Sequence, residues 1–223
     1  MAKHRPLNSP SDAPAVVPVF PLSGALLLPR AELPLNIFEP RYLAMIDDAL
    51  ASDRLVGIIQ PDEGKPEGPD GPELFRVGCL GRISQFSESG DGRYLITLTG
   101  ICRFEVVEEL KVETPYRQCR IDLKPYAFDF DASAGEDAVD RTALLKALAA
   151  FLEANQLEAD WEGIEQAGTE TLVNALSVMS PYGTLEKQAL LEAKDLKSRA
   201  EMLVAITQMM LARMPGDGDT PLQ

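Results

Sequence analysis

Apolar positions along the chain follow two different rhythms, one up to about residue 123 and another beyond it. In the first stretch they come in short runs broken by proline and glycine. Val16 to Phe20 is ended by Pro21, and Leu26 to Leu28 by Pro29; both suit buried strands or edge pieces. Leu55 to Gln60 reads as a strand, and the glycine-, proline- and acid-rich residues 61–73 as a loop. Val77 to Phe86 resumes strand character, with Gly78 and Gly81 marking bulges or close backbone approach. After the turn Ser87 to Gly92, Tyr94 to Leu98 and Arg103 to Val107 alternate with a period of two on either side of Gly100. Tyr116 to Leu123 gives one more strand.

One helix interrupts this β pattern. Residues 34–50, PLNIFEPRYLAMIDDAL, run from an extended proline-bounded piece through the corner Glu39-Pro40-Arg41 into a helical spacing. Tyr42, Leu43, Met45, Ile46, Ala49 and Leu50 recur at three- and four-residue intervals, and Pro40 fits a first helical turn, where its missing N–H costs nothing. Leu35 and Ile37 are expected to point inward.

Beyond the hinge expected at 128–136, the rhythm is helical throughout. Ala138, Thr142, Leu145, Leu148 and Leu152 form one face of a helix over Val139 to Asn155. Thr169 is placed to cap a second helix ending at Met179, and Thr184 a short third one ending near Ala193. Asp195 caps a long last helix to Met214, where Pro215-Gly216 stops it. The pattern predicts an α+β chain: a flexible arm (1–15), a mainly antiparallel β-barrel or folded-sheet subdomain with one inserted helix (16–127), the hinge (128–136), an all-helical bundle ending in a long helix (137–214) and a flexible tail (215–223).

Charge removes one class of partner. The chain has 35 acidic against 21 basic residues, net −14, so a phosphate backbone is repelled and nucleic acid is not expected. No apolar run reaches the length of a signal-peptide core or a bilayer span, which predicts a cytoplasmic protein that does not enter a membrane. Cys79, Cys102 and Cys119 lie in strand-like segments and read as buried thiols.

The residues that catalysis usually needs are scarce. The single histidine, His4, sits in the arm, no cysteine pair has zinc spacing, and Gly64-Lys65 lacks the glycine a phosphate loop requires. Ser23-Gly24 is the nearest approach to a serine-lysine site, without a matching lysine. Adjacent carboxylates at 47–48 and 108–109 diverge on a helix or strand. No cofactor, metal or enzymatic activity is expected.

Several segments together resemble one family. Val17-Pro18-Val19-Phe20-Pro21-Leu22, Leu33 to Tyr42 (LPLNIFEPRY), Gly78 to Ile83, Gly92 to Ile96 and Gly100-Ile101-Cys102-Arg103-Phe104 are similar to the N-terminal substrate-binding domain of the Lon ATP-dependent proteases, as are Lys187 to Glu192 and Arg199 to Leu203. The resemblance spans roughly residues 15–214. It implies a PUA-like β-subdomain followed by a helical bundle, and a role in recognising unfolded or tagged polypeptides. The ATPase and serine-lysine peptidase modules would follow the helical part. This sequence stops at Gln223, so it is expected neither to hydrolyse ATP nor to cut peptides, but to act as an adaptor or regulator beside a separate ATP-dependent protease.

The candidate binding residues are Phe38, Glu39, Arg41, Tyr42, Arg103 and Met210. Glu39 and Arg41 can instead be helix-starting residues, Glu39 at the positive helix end and Arg41 on a carboxylate or carbonyl. Aromatic and arginine anchors are what interfaces favour, which keeps a binding edge open. Arg103 divides the same way between ion pairing and function. Met202, Met209, Met210 and Met214 suit a core or an adaptable groove, and consecutive Met209 and Met210 cannot both be buried on one face. A small-molecule sensor or cryptic enzyme with a pocket between the subdomains is the alternative.

Overall fold

The computed structural model describes residues 6–66, 68 and 71–213. His4, Met214, the tail 215–223 and residues 1–5 of the arm lie outside the described residues. Six strands, β1 (Val16–Pro21), β2 (Glu32–Ile37), β3 (Leu55–Pro61), β4 (Leu74–Glu88), β5 (Tyr94–Leu110) and β6 (Gln118–Asp122), form one mixed sheet in the order β2-β5-β4-β3-β1-β6. β1 and β3 are parallel and the other pairs antiparallel. β6 also pairs the end of β5, from Glu105↔Asp122 to Leu110↔Gln118, so the ladders return to β5 and the sheet curls on itself.

This curl follows from the sequence. β3 is buried along its whole length, which is why LVGIIQ reads as a continuous apolar run rather than an alternation. β4 carries register shifts at Leu80/Gly81 and Ile83/Gln85, the irregularities its glycines suggest. At Gly78 a Cβ would stand 2.6 Å from the Ile58 carbonyl oxygen and 2.5 Å from the Phe104 ring, so only glycine lets these groups meet.

Gly100 does not separate two strands. β5 runs unbroken for 17 residues, and the glycine serves the close approach of another backbone: a Cβ there would overlap the Leu28 carbonyl oxygen. Leu26 to Leu28 are accordingly buried without being a strand; burial alone explains their apolar run. Pro10–Asp12, in the segment expected to be a flexible arm, form a 3-10 turn, and Asn8 N and Ser9 Oγ donate to Asp12 Oδ2 at 3.1 and 2.8 Å.

Helix α1 (Pro40–Leu50) starts at the predicted proline and buries Tyr42, Met45, Ile46 and Ala49, one helical stripe. Met45 and Ile46 are fully buried, each stabilising by about 1.5–3 kcal/mol. Tyr42 packs on Phe20 of β1 with ring centroids 4.1 Å apart. Tyr94 and Tyr116 donate to Asp47 and Asp48 at 2.9 and 2.6 Å, fixing the helix to β5 and to the segment before β6.

Five helices follow: α2 (Arg141–Ala154), α3 (Trp161–Gln166), α4 (Thr169–Met179), α5 (Thr184–Glu192) and α6 (Leu196–Arg213). The chain forms two compact units, residues 1–132 with 181–192, and 133–180 with 193–223. α5, which the sequence pattern groups with the helical half, is therefore part of the sheet unit. Polar contacts hold it there: Gln60 Nε2 donates to Gln188 Oε1 (3.0 Å), Gln188 Nε2 to the Val77 carbonyl (3.2 Å), and Lys187 Nζ to the Gly24 carbonyl (2.9 Å). Periodicity does not report partners of this kind.

In the second unit α2, α4 and α6 pack on Leu144, Leu148, Leu172, Val173 and Leu203. Asp140, Asp160 and Asp195 accept from Ala143 N, Gly163 N and Ser198 N at 2.9, 3.1 and 2.7 Å, capping α2, α3 and the start of α6. Thr169 is not a cap. Gly168 holds that position, and the Thr169 hydroxyl accepts from Arg141 Nη1 at 3.1 Å. Thr184 likewise is the first helical residue of α5 rather than its cap. The short α3 has no counterpart in the sequence reading, although Asp160 before Trp161 is a cap signal. Among the described residues no helix is long and apolar enough to cross a membrane.

Candidate functional site

The corner that joins β2 to α1 gathers four of the six candidate residues. Phe38 follows the last residue of β2 and is 60 % exposed, with the Arg93 guanidinium 5.9 Å from its ring centroid. Glu39 is the helix N-cap; its carbonyl accepts from Tyr42 N and Leu43 N, both at 2.9 Å, while its side chain caps nothing. That side chain instead accepts from Arg41, whose Nε and Nη2 both lie 2.9 Å from Glu39 Oε2. The pair is solvent-exposed, worth about 0–1 kcal/mol. The Arg41 guanidinium also stacks 4.5 Å over the Tyr42 ring.

Arg41 and Tyr42 form part of the wall of a cavity of about 750 Å³, a size usual for ligand recesses. Pro21 of β1, residues 109–115 at the end of β5 and in the following loop, Tyr116 and Arg117 complete the wall. Two of these are held rigidly: Arg117 grips Glu109 through Nε and Nη2 at 2.5 and 2.6 Å, and the Tyr116 hydroxyl is tied to Asp48. Burial, then the bond to Asp48, pushes the Tyr116 phenol up to about 12. Burial also raises Tyr42 above its ordinary value, against the lowering effect of Arg41, so this phenol stays protonated and able to donate.

The β2 edge beside this corner is a poor template for strand addition. Among the described residues β2 pairs only β5, and Gly100 N donates to the Ala31 carbonyl at 2.9 Å. Alternation from there turns the Glu32, Pro34 and Asn36 backbones toward the open side, where Pro34 offers no donor. Apolar surface is present at this end of the sheet: besides Phe38, Leu95 and Phe86 are exposed, and Phe86 meets Tyr94 edge-on at 5.0 Å.

Arg103 does not join the corner. It is 1 % exposed in β5, and its Nε and Nη2 each donate to Asp129 at 2.9 Å, while its backbone N–H donates to the same carboxylate at 2.9 Å. Nη1 donates to the Leu191 carbonyl at 2.9 Å, and the guanidinium lies 4.3 Å from the Tyr126 ring centroid. This buried guanidinium links β5, the 3-10 turn Lys124–Phe130 and α5 through its bonds to Asp129 and Leu191. Asp129 belongs to the FDFD segment that the sequence presents as a hinge. Met210 lies half-buried on α6, in the second unit, and its neighbour Met209 is the exposed one of the two at 55 %.

Sequence reasoning missed Lys111, Tyr116 and Pro21 as cavity residues. For Lys111 and Tyr116 the one available signal is the loop KVETPY between two strands, which does not say what it faces; Pro21 reads only as the end of a strand.

A curled mixed sheet carrying one inserted helix, accompanied by a helical unit, defines a class that comparison identifies. The family model of the ATP-dependent protease La (LON) substrate-binding domain matches residues 16–208, and the chain belongs to that family. Lon protease 2 of Myxococcus xanthus is 28 % identical over 205 residues, covering 90 % of this chain and 24 % of that protein. Lon protease of Anaeromyxobacter dehalogenans is 28 % identical over 206 residues, again 90 % and 24 %. The chain thus spans about a quarter of the length of these relatives.

Two solved structures share the fold. A Lon N-terminal domain protein from Xanthomonas campestris matches with a TM-score of 0.60 at 23 % identity, covering 90 % of this chain and 99 % of that one. The N-terminal domain of Mycobacterium avium complex Lon protease matches at 0.63 and 21 % identity, covering 86 % and 98 %.

Proposed function

We propose that this chain is a non-catalytic polypeptide-recognition module acting in the cytoplasm, an adaptor or regulator that delivers clients to, or withholds them from, a separate ATP-dependent protease. The observation that carries this reading is the match of residues 16–208 to a substrate-binding domain family. The corner supports it: Phe38 is exposed, and three residues further on Arg41, with Tyr42, walls a cavity, so one corner offers both an apolar ring and a recess. Glu39 acts there by orienting Arg41. Met210 would be a second, independent contact on the helical unit.

Fluorescence anisotropy of a labelled, permanently unfolded protein, titrated with this chain at low and at high salt, tests the proposal. Saturable binding that salt hardly weakens is expected, because apolar contacts carry it. Absence of binding at both salts would refute it.

A further inference from the structure

The geometry points to the Arg41–Tyr42 cavity as a receptor for the free C-terminal carboxylate of an apolar polypeptide end. This rests on the polypeptide-recognition reading above and names the part of the client that the cavity takes. The wall is rich in donors without partners. Arg41 spends Nε and Nη2 on one oxygen of Glu39, and Nη1 has no protein partner among the described residues. The Tyr42 hydroxyl has none either, and Lys111 makes no ion pair among them. Glu109 does not compete, because Arg117 occupies both of its oxygens.

A guanidinium, an ammonium and a protonated phenol carried by residues that wall one recess suit an anion with two acceptor oxygens. Pro21, Leu110, Val112 and Pro115 supply apolar wall, so the anion's other end is apolar. Glu113 is a carboxylate in the wall outside any ion pair among the described residues; it disfavours a dianion such as phosphate and can accept the backbone N–H that a peptide end carries and a simple acid lacks. Net charge sharpens the choice: a chain at −14 repels highly charged anions while leaving a singly charged apolar terminus acceptable.

The test uses the full chain and an N-terminally labelled decapeptide of apolar and aromatic residues, made with a free C-terminal carboxylate and as its C-terminal amide. The free acid is expected to bind about tenfold more tightly than the amide, in keeping with charge-assisted hydrogen bonds. That preference is expected to vanish in Arg41→Gln/Lys111→Gln, two exposed substitutions whose folding is checked by circular dichroism. Equal binding of acid and amide, while the unfolded protein still binds, would overturn the carboxylate site and leave polypeptide recognition standing. Competition by 3-phenylpropionate as strong as that of the peptide acid would overturn the assignment to a polypeptide end. Failure of the unfolded protein itself to bind would instead remove the reading on which the site depends.

Discussion

Replacing Asp129 by alanine breaks a buried ion pair of the sheet unit. The carboxylate accepts three hydrogen bonds from Arg103, from the backbone N–H, Nε and Nη2, each 2.9 Å long, and is almost fully buried. Alanine leaves a guanidinium in a dry core with the Leu191 carbonyl as the remaining acceptor among these contacts. Removing one partner of a buried pair costs about 3–5 kcal/mol, because the other charge stays desolvated. For a chain of this size that is a fall in Tm of roughly 6–20 °C. The two units can be followed separately: all five tyrosines lie in the sheet unit and the single tryptophan, Trp161, in the helical one. Near-ultraviolet tyrosine dichroism should therefore report an earlier transition than tryptophan fluorescence. The double replacement Arg103→Met/Asp129→Leu should recover most of the loss, since a pair of apolar residues desolvates no charge. A loss below about 1 kcal/mol for Asp129→Ala, or no recovery in the double variant, would refute the view that this pair ties β5 to the turn and α5.

Four further outcomes are expected. Gly100→Ala, whose methyl would meet the Leu28 carbonyl oxygen, should destabilise by about 3 kcal/mol or more in urea unfolding. Phe38→Ala should leave urea unfolding within about 0.5 kcal/mol of the parent, since the ring is exposed, while weakening binding of an unfolded client severalfold. The Tyr116 phenol, raised to about 12 from 10.0, gives stability that is whole below pH 10 and lost as pH climbs toward 12; in Tyr116→Phe the phenolate absorbance should lose the part of the parent's titration that is centred near 12. Cys119, fully buried with its thiol pushed up to about 12, should resist thiol reagents at neutral pH until urea unfolds the sheet unit.

The parts of the fold that show in the sequence are those whose cause is local. A helix starting at Pro40 follows from a proline at its first turn and apolar residues at helical spacing, and the structure has both. β3 shows as an unbroken apolar run because both its faces are buried. Features set by distant partners do not show. Gly100 looks like a break between strands, yet the glycine is required by Leu28, whose backbone arrives from 72 positions earlier in the chain. α5 looks like one more helix of the bundle, but Gln60 and Gln188, far apart in sequence, bind it to the sheet.

The arginines carry the same lesson into the site. Arg41 and Arg103 present the same side chain in similarly apolar surroundings, and sequence alone assigns both of them the same division between pairing and binding. Their surroundings separate them. Arg103 meets a carboxylate, a carbonyl and an aromatic face in a closed core, so its donors are consumed and its contribution is to stability. Arg41 meets one exposed carboxylate at a helix start, beside a recess, and retains donors for something else. What distinguishes the two is a partner 26 residues further on in one case and two residues back in the other. A short-range partner on an exposed corner orients a guanidinium without desolvating it, which is the condition a binding arginine needs.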